Sequence, residues 1–265
     1  MGQEIRRLTK RKQAQAKIES LIGNANTTLV IHYSCESFYD RTDGKTPRVT
    51  SVAVRNLSSG QTDSFSIHKV AEQKQIAFDQ IDVNYDELER EMLNEFFEFM
   101  RSRQFYSWIH WNMRDINYGF AAIEHRFRVL GGNPISISEN SKFDLARALN
   151  DLYGMAYIEH PKLESIVNKN DITKKDFLTG KEEAEAFKNK EYIKLHQSTL
   201  RKVDILANIF ERTCDKTLKT NTKWFDQYGY TPQVLVEFIK EHWVWSLISM
   251  LGVIWAWIAR FTELF

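Results

Sequence analysis

The sequence predicts an α/β fold: a mixed sheet with flanking helices, a helical C-terminal half and a C-terminal transmembrane or membrane-associated helix. Three observations support this prediction. Residues 27–70 contain three short segments rich in β-branched residues, residues 86–219 carry amphipathic helical patterns around one aromatic strand, and residues 243–259 contain no charged residue. With 265 residues, 43% of them hydrophobic, the chain can bury a full core.

Composition excludes several classes of protein. The 36 Lys and Arg residues nearly balance 35 Asp and Glu, so no global charge attracts nucleic acid or anionic lipid. Cys35 and Cys214 are the only cysteines, which argues against a disulfide framework and a cysteine zinc site. The motifs GxxxxGK[ST], GxSxG and HExxH do not occur, so nucleoside triphosphatase, α/β-hydrolase and zincin chemistry have no support.

The N-terminal third predicts a helix followed by three strands. Residues 1–25 form a basic helical segment that either contacts nucleic acid or anionic lipid or is simply solvated. Residues 27–33, 48–57 and 61–70 have the β-branched or alternating patterns of consecutive, hairpin-linked strands.

The remainder of the predicted domain, residues 26–220, is mostly helical. An amphipathic helix over residues 86–101 leads to an aromatic strand at 105–111, and a loop and helix then end at Gly131 and Gly132. Residues 142–153 form a further helix, and residues 182–219 form one long helix or two helices broken near Lys190. Residues 221–242 connect the domain to the tail.

Residues 243–265 are expected to form a membrane tail. Its uncharged run would reach roughly 25 Å, close to the hydrocarbon thickness of a bilayer. Aromatic and basic residues suited to the headgroup interface lie along it: Trp243, Trp245, Trp255, Trp257 and Arg260. The alternative is a soluble helix buried in an oligomer or against the domain. Ser249, Gly252, Ala256 and Ala259 share one helical face, which favours packing between tails and a homo-oligomer or a partner protein.

Because lysines precede the tail and the first residues lack the apolar run of a signal peptide, we expect a membrane-associated protein with its main domain in the cytoplasm.

Three motifs resemble those of the 3′–5′ exonucleases with a ribonuclease H-like fold. A βββαβα order is expected, Ser34-Cys35-Glu36 stands where that family has Asp-x-Glu, and HWNMRD matches its second motif at His110 and Asp115. Asp204 on a late helix is similar to the third motif, although Thr199 and Leu200 replace the upstream base.

The resemblance implies that Glu36, Asp115 and Asp204 act as catalytic metal ligands for Mg²⁺ or Mn²⁺. Two such ions need several oxygen ligands and a base for the attacking water. Because one aspartate and the base are replaced, the alternative is a relative that has lost catalysis.

A second candidate site lies in residues 107–120, which combine aromatic and polar side chains. Trp111 and Tyr118 are candidates for stacking on bases, Arg114 for contacting phosphate, and Asn112 for reading a base edge. The alternative is that these aromatics belong to the core.

The sequence is compatible with two candidate functions. One is a membrane-tethered cytosolic sensor or effector, of the kind that acts at the membrane in some bacterial anti-phage systems. The other is a metal-dependent nuclease or nucleic-acid-binding protein of the ribonuclease H-like class, with activity dependent on Mg²⁺ or Mn²⁺.

Overall fold

A computed structural model describes residues 2–36, 46–115, 117–223, Val236, 247–248, 250–255 and Arg260. In this part of the chain the helices are α1 (Gln3–Gly23), α2 (Ile67–Gln73), α3 (Tyr85–Arg101), α4 (Phe120–Val129), α5 (Leu145–Tyr153), α6 (Lys162–Lys169), α7 (Gly180–Lys188) and α8 (Tyr192–Cys214). The strands are β1 (Thr28–Cys35), β2 (Val49–Asn56), β3 (Thr62–Ser66), β4 (Ser107–His110) and β5 (Lys142–Asp144). The prediction of an α/β fold with a mixed sheet and flanking helices is confirmed.

The five strands form one mixed sheet in the order β3-β2-β1-β4-β5. Strands β1, β2 and β3 pair antiparallel, as predicted for three hairpin-linked strands, whereas β4 and β5 run parallel to β1. The carboxyl ends of β1, β4 and β5 therefore meet at one edge of the sheet.

Each face of the sheet is covered by helices. On one face α3 and α4 pack against Leu29, Ile31 and Tyr33 of β1. On the other face α8 crosses β1 and β2, and α1 and α5 pack together beside it. Since successive residues of a strand point to opposite faces, Val30, His32 and Ser34 belong to the α8 face.

Two predictions of secondary structure need correction. The third strand ends at Ser66, because Ile67, Val70 and Ala71 bury one face of α2 instead of continuing the alternation. The predicted helix 142–153 begins with the short strand β5, after which Asp144 accepts a hydrogen bond from Arg147 N and caps α5. The break near Lys190 is confirmed, with Lys190 at φ 59° between α7 and α8.

The predicted tail lies mostly outside the described residues. Trp243, Trp245 and Trp257 are not described, whereas Gly252, Trp255 and Arg260 are helical and exposed. Within the described residues, no helix has the length and apolar content needed to cross a bilayer.

Candidate binding cleft

A buried ion pair joins α7 and α8 near the carboxyl end of β1. Lys202 Nζ lies 2.7 Å from Glu183 Oε1, and both side chains are almost fully buried. Ser34 Oγ and Ser198 Oγ also donate to this oxygen, at 2.9 and 3.0 Å. Burying a charge is tolerated only when it is paired and hydrogen-bonded, and Glu183 Oε1 meets that condition.

Beneath α8 the sheet carries a row of serines. Ser34, Ser51 and Ser66 are register partners on β1, β2 and β3. Thr199 Oγ1 of α8 lies 2.9 Å from Ser34 Oγ and 2.6 Å from Ser51 Oγ. The side chains that face one another at the carboxyl end of β1 are thus hydroxyls, together with the single Glu183 carboxylate that Lys202 neutralises.

His32 is buried beside this network. Its Nδ1 lies 3.3 Å from the Tyr118 hydroxyl, whereas its Nε2 has no hydrogen-bond partner among the described residues. Burial, and then the nearby Lys202 ammonium, hold the pKa of His32 well below its usual value. The imidazole is therefore neutral at pH 7.

The loop after β4, described at residues 111–115 and 117–119, brings Tyr118 to this position. Tyr118 stacks on Tyr33 with ring centroids 4.6 Å apart, and Gly119 N donates to the Tyr33 hydroxyl at 2.9 Å. A Cβ on Gly119 would lie 2.6 Å from the Met113 carbonyl carbon, so only glycine permits this close return of the loop.

A cleft of about 230 Å³ opens above His32 and Lys202, and we call it the Lys202 cleft. Its other walls come from the loop after β4, the start of α6 and the segment before α7. They are Trp111, Asn112, Tyr118, Pro161, Leu163, Glu164, Phe177, Leu178, Thr179 and Gly180.

The structure brings three of the four predicted nucleic-acid-binding residues to one place. Trp111, Asn112 and Tyr118 line the Lys202 cleft. Arg114 donates to Asn112 Oδ1 at 3.2 Å and forms an ion pair with Asp144, but it lines a different cleft, beside Lys10 and Arg147. The alternative prediction also holds in part, because Trp111 is 8% exposed and belongs to the core around α5.

The predicted metal ligands do not come together. Asp204 pairs with Arg55 at 3.1 Å, and Arg55 lies opposite Val30, in the first half of β1. Thr199 of α8 instead faces the end of β1 at Ser34. Asp204 follows Thr199 by five residues on α8, a separation of roughly 7.5 Å along the helix axis and about 140° of rotation. Asp204 therefore lies away from that end of β1.

The other two carboxylates lie in separate surroundings. Glu36 extends the β1–β2 ladder, where its backbone N donates to Arg48 O at 2.8 Å. Asp115 is exposed in the loop after β4 and accepts from Asn117 N at 2.9 Å. Within the described residues, no group of three or more His, Cys, Asp or Glu could hold a metal. The residues that the structure describes therefore do not fit the two-metal centre that the resemblance implies.

Sequence reasoning missed His32, Glu183 and Lys202. His32 stands in a strand of apolar residues, and Lys202 and Glu183 stand in ordinary amphipathic helices. Only the packing of α7 and α8 on β1 shows that their polar groups meet. The sequence feature that came closest to locating them was the Ser34-Cys35-Glu36 motif, which marked the end of β1 as a candidate site.

Comparison with known protein families, with curated proteins and with solved structures finds no match to this chain.

Proposed function

We propose that this chain is a membrane-tethered sensor whose ribonuclease H-like domain binds a ligand in the Lys202 cleft and no longer cuts nucleic acid. The observation that carries the proposal is the Glu183–Lys202 pair. One carboxylate, neutralised by an ammonium, and a set of hydroxyls lie at the end of β1, where metal-dependent chemistry requires several carboxylates free to bind the ions.

The fold supports the ribonuclease H-like assignment. Three antiparallel strands are followed by helices, a parallel strand, a helix and a further parallel strand, in keeping with the expected βββαβα order. Ser34 occupies the first ligand position of the resemblance, and Thr199 faces it from the late helix.

The ligand that suits the cleft is an unstacked nucleobase. Trp111 and Phe177 contribute aromatic surface, while the neutral His32, the Tyr118 hydroxyl and the Asn112 amide are groups that hydrogen-bond to a base edge. Glu183 balances Lys202, so the floor of the cleft carries no net charge and favours a neutral ring over an anion.

The apolar segment 243–259 supplies the effector half of the proposal. Ligand binding beside α7 and α8 changes how this segment acts on the bilayer, as in some bacterial anti-phage defence systems. The described part of the segment has exposed apolar side chains at Leu247, Ile248 and Met250, consistent with contacts outside the domain.

A binding assay tests the sensor half. The full chain in a mild detergent is titrated into fluorescein-labelled single-stranded DNA and RNA 12-mers, and free nucleosides compete. We expect saturable binding with the oligonucleotide left intact in Mg²⁺. Tyr118→Phe and Asn112→Gly should weaken binding about three- to tenfold, since each removes one hydrogen-bonding group.

Matched controls separate the cleft from general effects of substitution. Tyr85→Phe removes a buried hydroxyl that donates to Val49 O on the other face of the sheet. Gln75→Gly removes an exposed amide at φ 56°, matching Asn112 at φ 54°. Binding weakened equally by the controls, or no binding to any oligonucleotide or nucleoside, would remove the nucleobase from the proposal.

A cellular assay tests the link between the two halves. Membrane potential is followed after induction of the full chain, of Asn112→Gly and of Gln75→Gly. Depolarisation by wild type and Gln75→Gly, but not by Asn112→Gly, is expected. Equal depolarisation by all three would show that the cleft does not control the tail.

A further inference from the structure

A second cleft lies between α1 and α5, outside the carboxyl ends of β4 and β5. It has a volume of about 450 Å³, and His110 and Asp144, register partners at the ends of the two strands, lie at its base. In open α/β sheets, ligands bind in crevices outside the carboxyl ends of parallel strands. The position therefore favours a ligand site distinct from the Lys202 cleft.

The walls of this second cleft carry four basic side chains. Two of them are paired within it, because Lys142 Nζ lies 2.6 Å from Glu139 Oε1 and Arg114 pairs with Asp144. Lys10 of α1 and Arg147 of α5 have no ion-pair partner among the described residues. Asp151 is the remaining acidic residue of the lining.

The base of the cleft is a built polar surface. His110 is 2% exposed and its Nδ1 accepts from Met113 N at 3.2 Å. Asp144 Oδ1 accepts from Asn112 N at 3.3 Å and from Arg147 N at 3.2 Å. These bonds fix the loop after β4 and the start of α5, so the cleft is preformed.

We propose that this second cleft binds a phosphate group, held between Lys10 on α1 and Arg147 on α5. Charge-assisted hydrogen bonds from lysine and arginine are the usual means of holding phosphate. Because α1 packs against α5 through Ala14, Ile18 and Leu21, a bound phosphate would also tie the basic N-terminal helix to the domain. This site goes beyond the proposed function and does not depend on it.

Isothermal titration of the full chain with inorganic pyrophosphate at low salt tests the site. Lys10→Gln and Arg147→Gln should each raise Kd about tenfold, the effect of losing one charge-assisted hydrogen bond. Asp151→Asn removes the remaining negative charge and should lower Kd. Lys12→Gln, an exposed lysine of the same helix outside the lining, should change Kd less than twofold.

A 12-mer oligonucleotide forms a second arm and distinguishes a free phosphate compound from a nucleic-acid backbone. Binding of either probe with the expected order of the variants supports a phosphate site, and the tighter probe identifies the source. If neither probe binds, or if Lys12→Gln weakens binding as much as Lys10→Gln, the proposal is wrong. Thermal unfolding of each variant verifies that the fold is intact.

Discussion

Glu183 Oε1 accepts from Lys202 Nζ at 2.7 Å, from Ser34 Oγ at 2.9 Å and from Ser198 Oγ at 3.0 Å, whereas Glu183 Oε2 has no partner among the described residues. One carboxylate oxygen thus joins β1, α7 and α8. These hydrogen bonds hold the floor of the Lys202 cleft in place, and substitutions of the ion pair should therefore change the stability of the domain.

Loss of one partner of this pair should be costly. Lys202→Met leaves the Glu183 charge buried without its cation and should lower the free energy of unfolding by about 3–5 kcal/mol. The double variant Glu183→Gln with Lys202→Met removes both charges and should recover most of that loss. Urea unfolding of the double variant and of each single variant measures these free energies. If the cost of the double variant equals the sum of the two single costs, the two groups are not coupled.

The pH dependence of stability should report His196. Burial, and then the neighbouring His68, lower the pKa of His196 to about 3. Its ordinary pKa in the unfolded chain is higher, so the unfolded chain binds a proton first as pH falls. His196 therefore contributes stability above pH 6.5 that is lost as pH falls toward its folded pKa.

Substitution of His196 by leucine should remove this contribution to the pH dependence of the free energy of unfolding. Between pH 4 and 6 the free energy of unfolding of wild type should fall with falling pH more steeply than that of His196→Leu, by about 1 kcal/mol per pH unit. Urea midpoints at several pH values give the comparison. Parallel curves for the two proteins would show that His196 titrates normally.

The tail should determine where the protein is found. Removal of residues 243–265 should move the chain from the membrane pellet to the soluble fraction, because the uncharged run between Trp243 and Ala259 is then lost. Fractionation after lysis without detergent measures this. A full-length chain already in the soluble fraction would contradict the membrane assignment.

Self-association of the tail can be tested at Gly252. A Cβ at Gly252 meets no other atom of the described chain within 4 Å, so there is open space for a larger side chain as far as the described residues extend. Gly252→Ile should nevertheless weaken detergent-stable oligomers, because small residues let helices approach closely in a bilayer. Ile254→Leu is the matched control and should leave the oligomers unchanged; equal behaviour of the two variants would make the tail a passive anchor.

The sequence predicted most of the fold because its local patterns agree with the final packing. The β-branched density of β1, the alternation in β2 and the apolar face of α3 each specify one element. Strand β5 escaped prediction, since three residues carry too little periodicity and its pairing with β4 depends on distant parts of the chain. The boundary at Ser66 was missed because Ser-Phe-Ser-Ile-His fits both a strand and the start of a helix.

The candidate site was predicted only in part for a similar reason. The density of aromatic and polar residues marked the loop with Trp111, Asn112 and Tyr118, and these residues do share a cleft. Asp204 was a candidate metal ligand because its helix resembles the third exonuclease motif, yet the helix places Thr199 at the end of β1 instead. Which residue of a helix faces a strand depends on tertiary packing, which spacing does not specify.

Cleavage of labelled single-stranded DNA and RNA by the full chain in Mg²⁺ and Mn²⁺ tests the central claim most directly, with bound and cut fractions measured in the same samples. The account predicts binding with no cleavage, because the described carboxylates Glu36, Asp115 and Asp204 lie apart. Metal-dependent cleavage that is abolished by Glu36→Gln and by Asp115→Asn would contradict it and establish a nuclease.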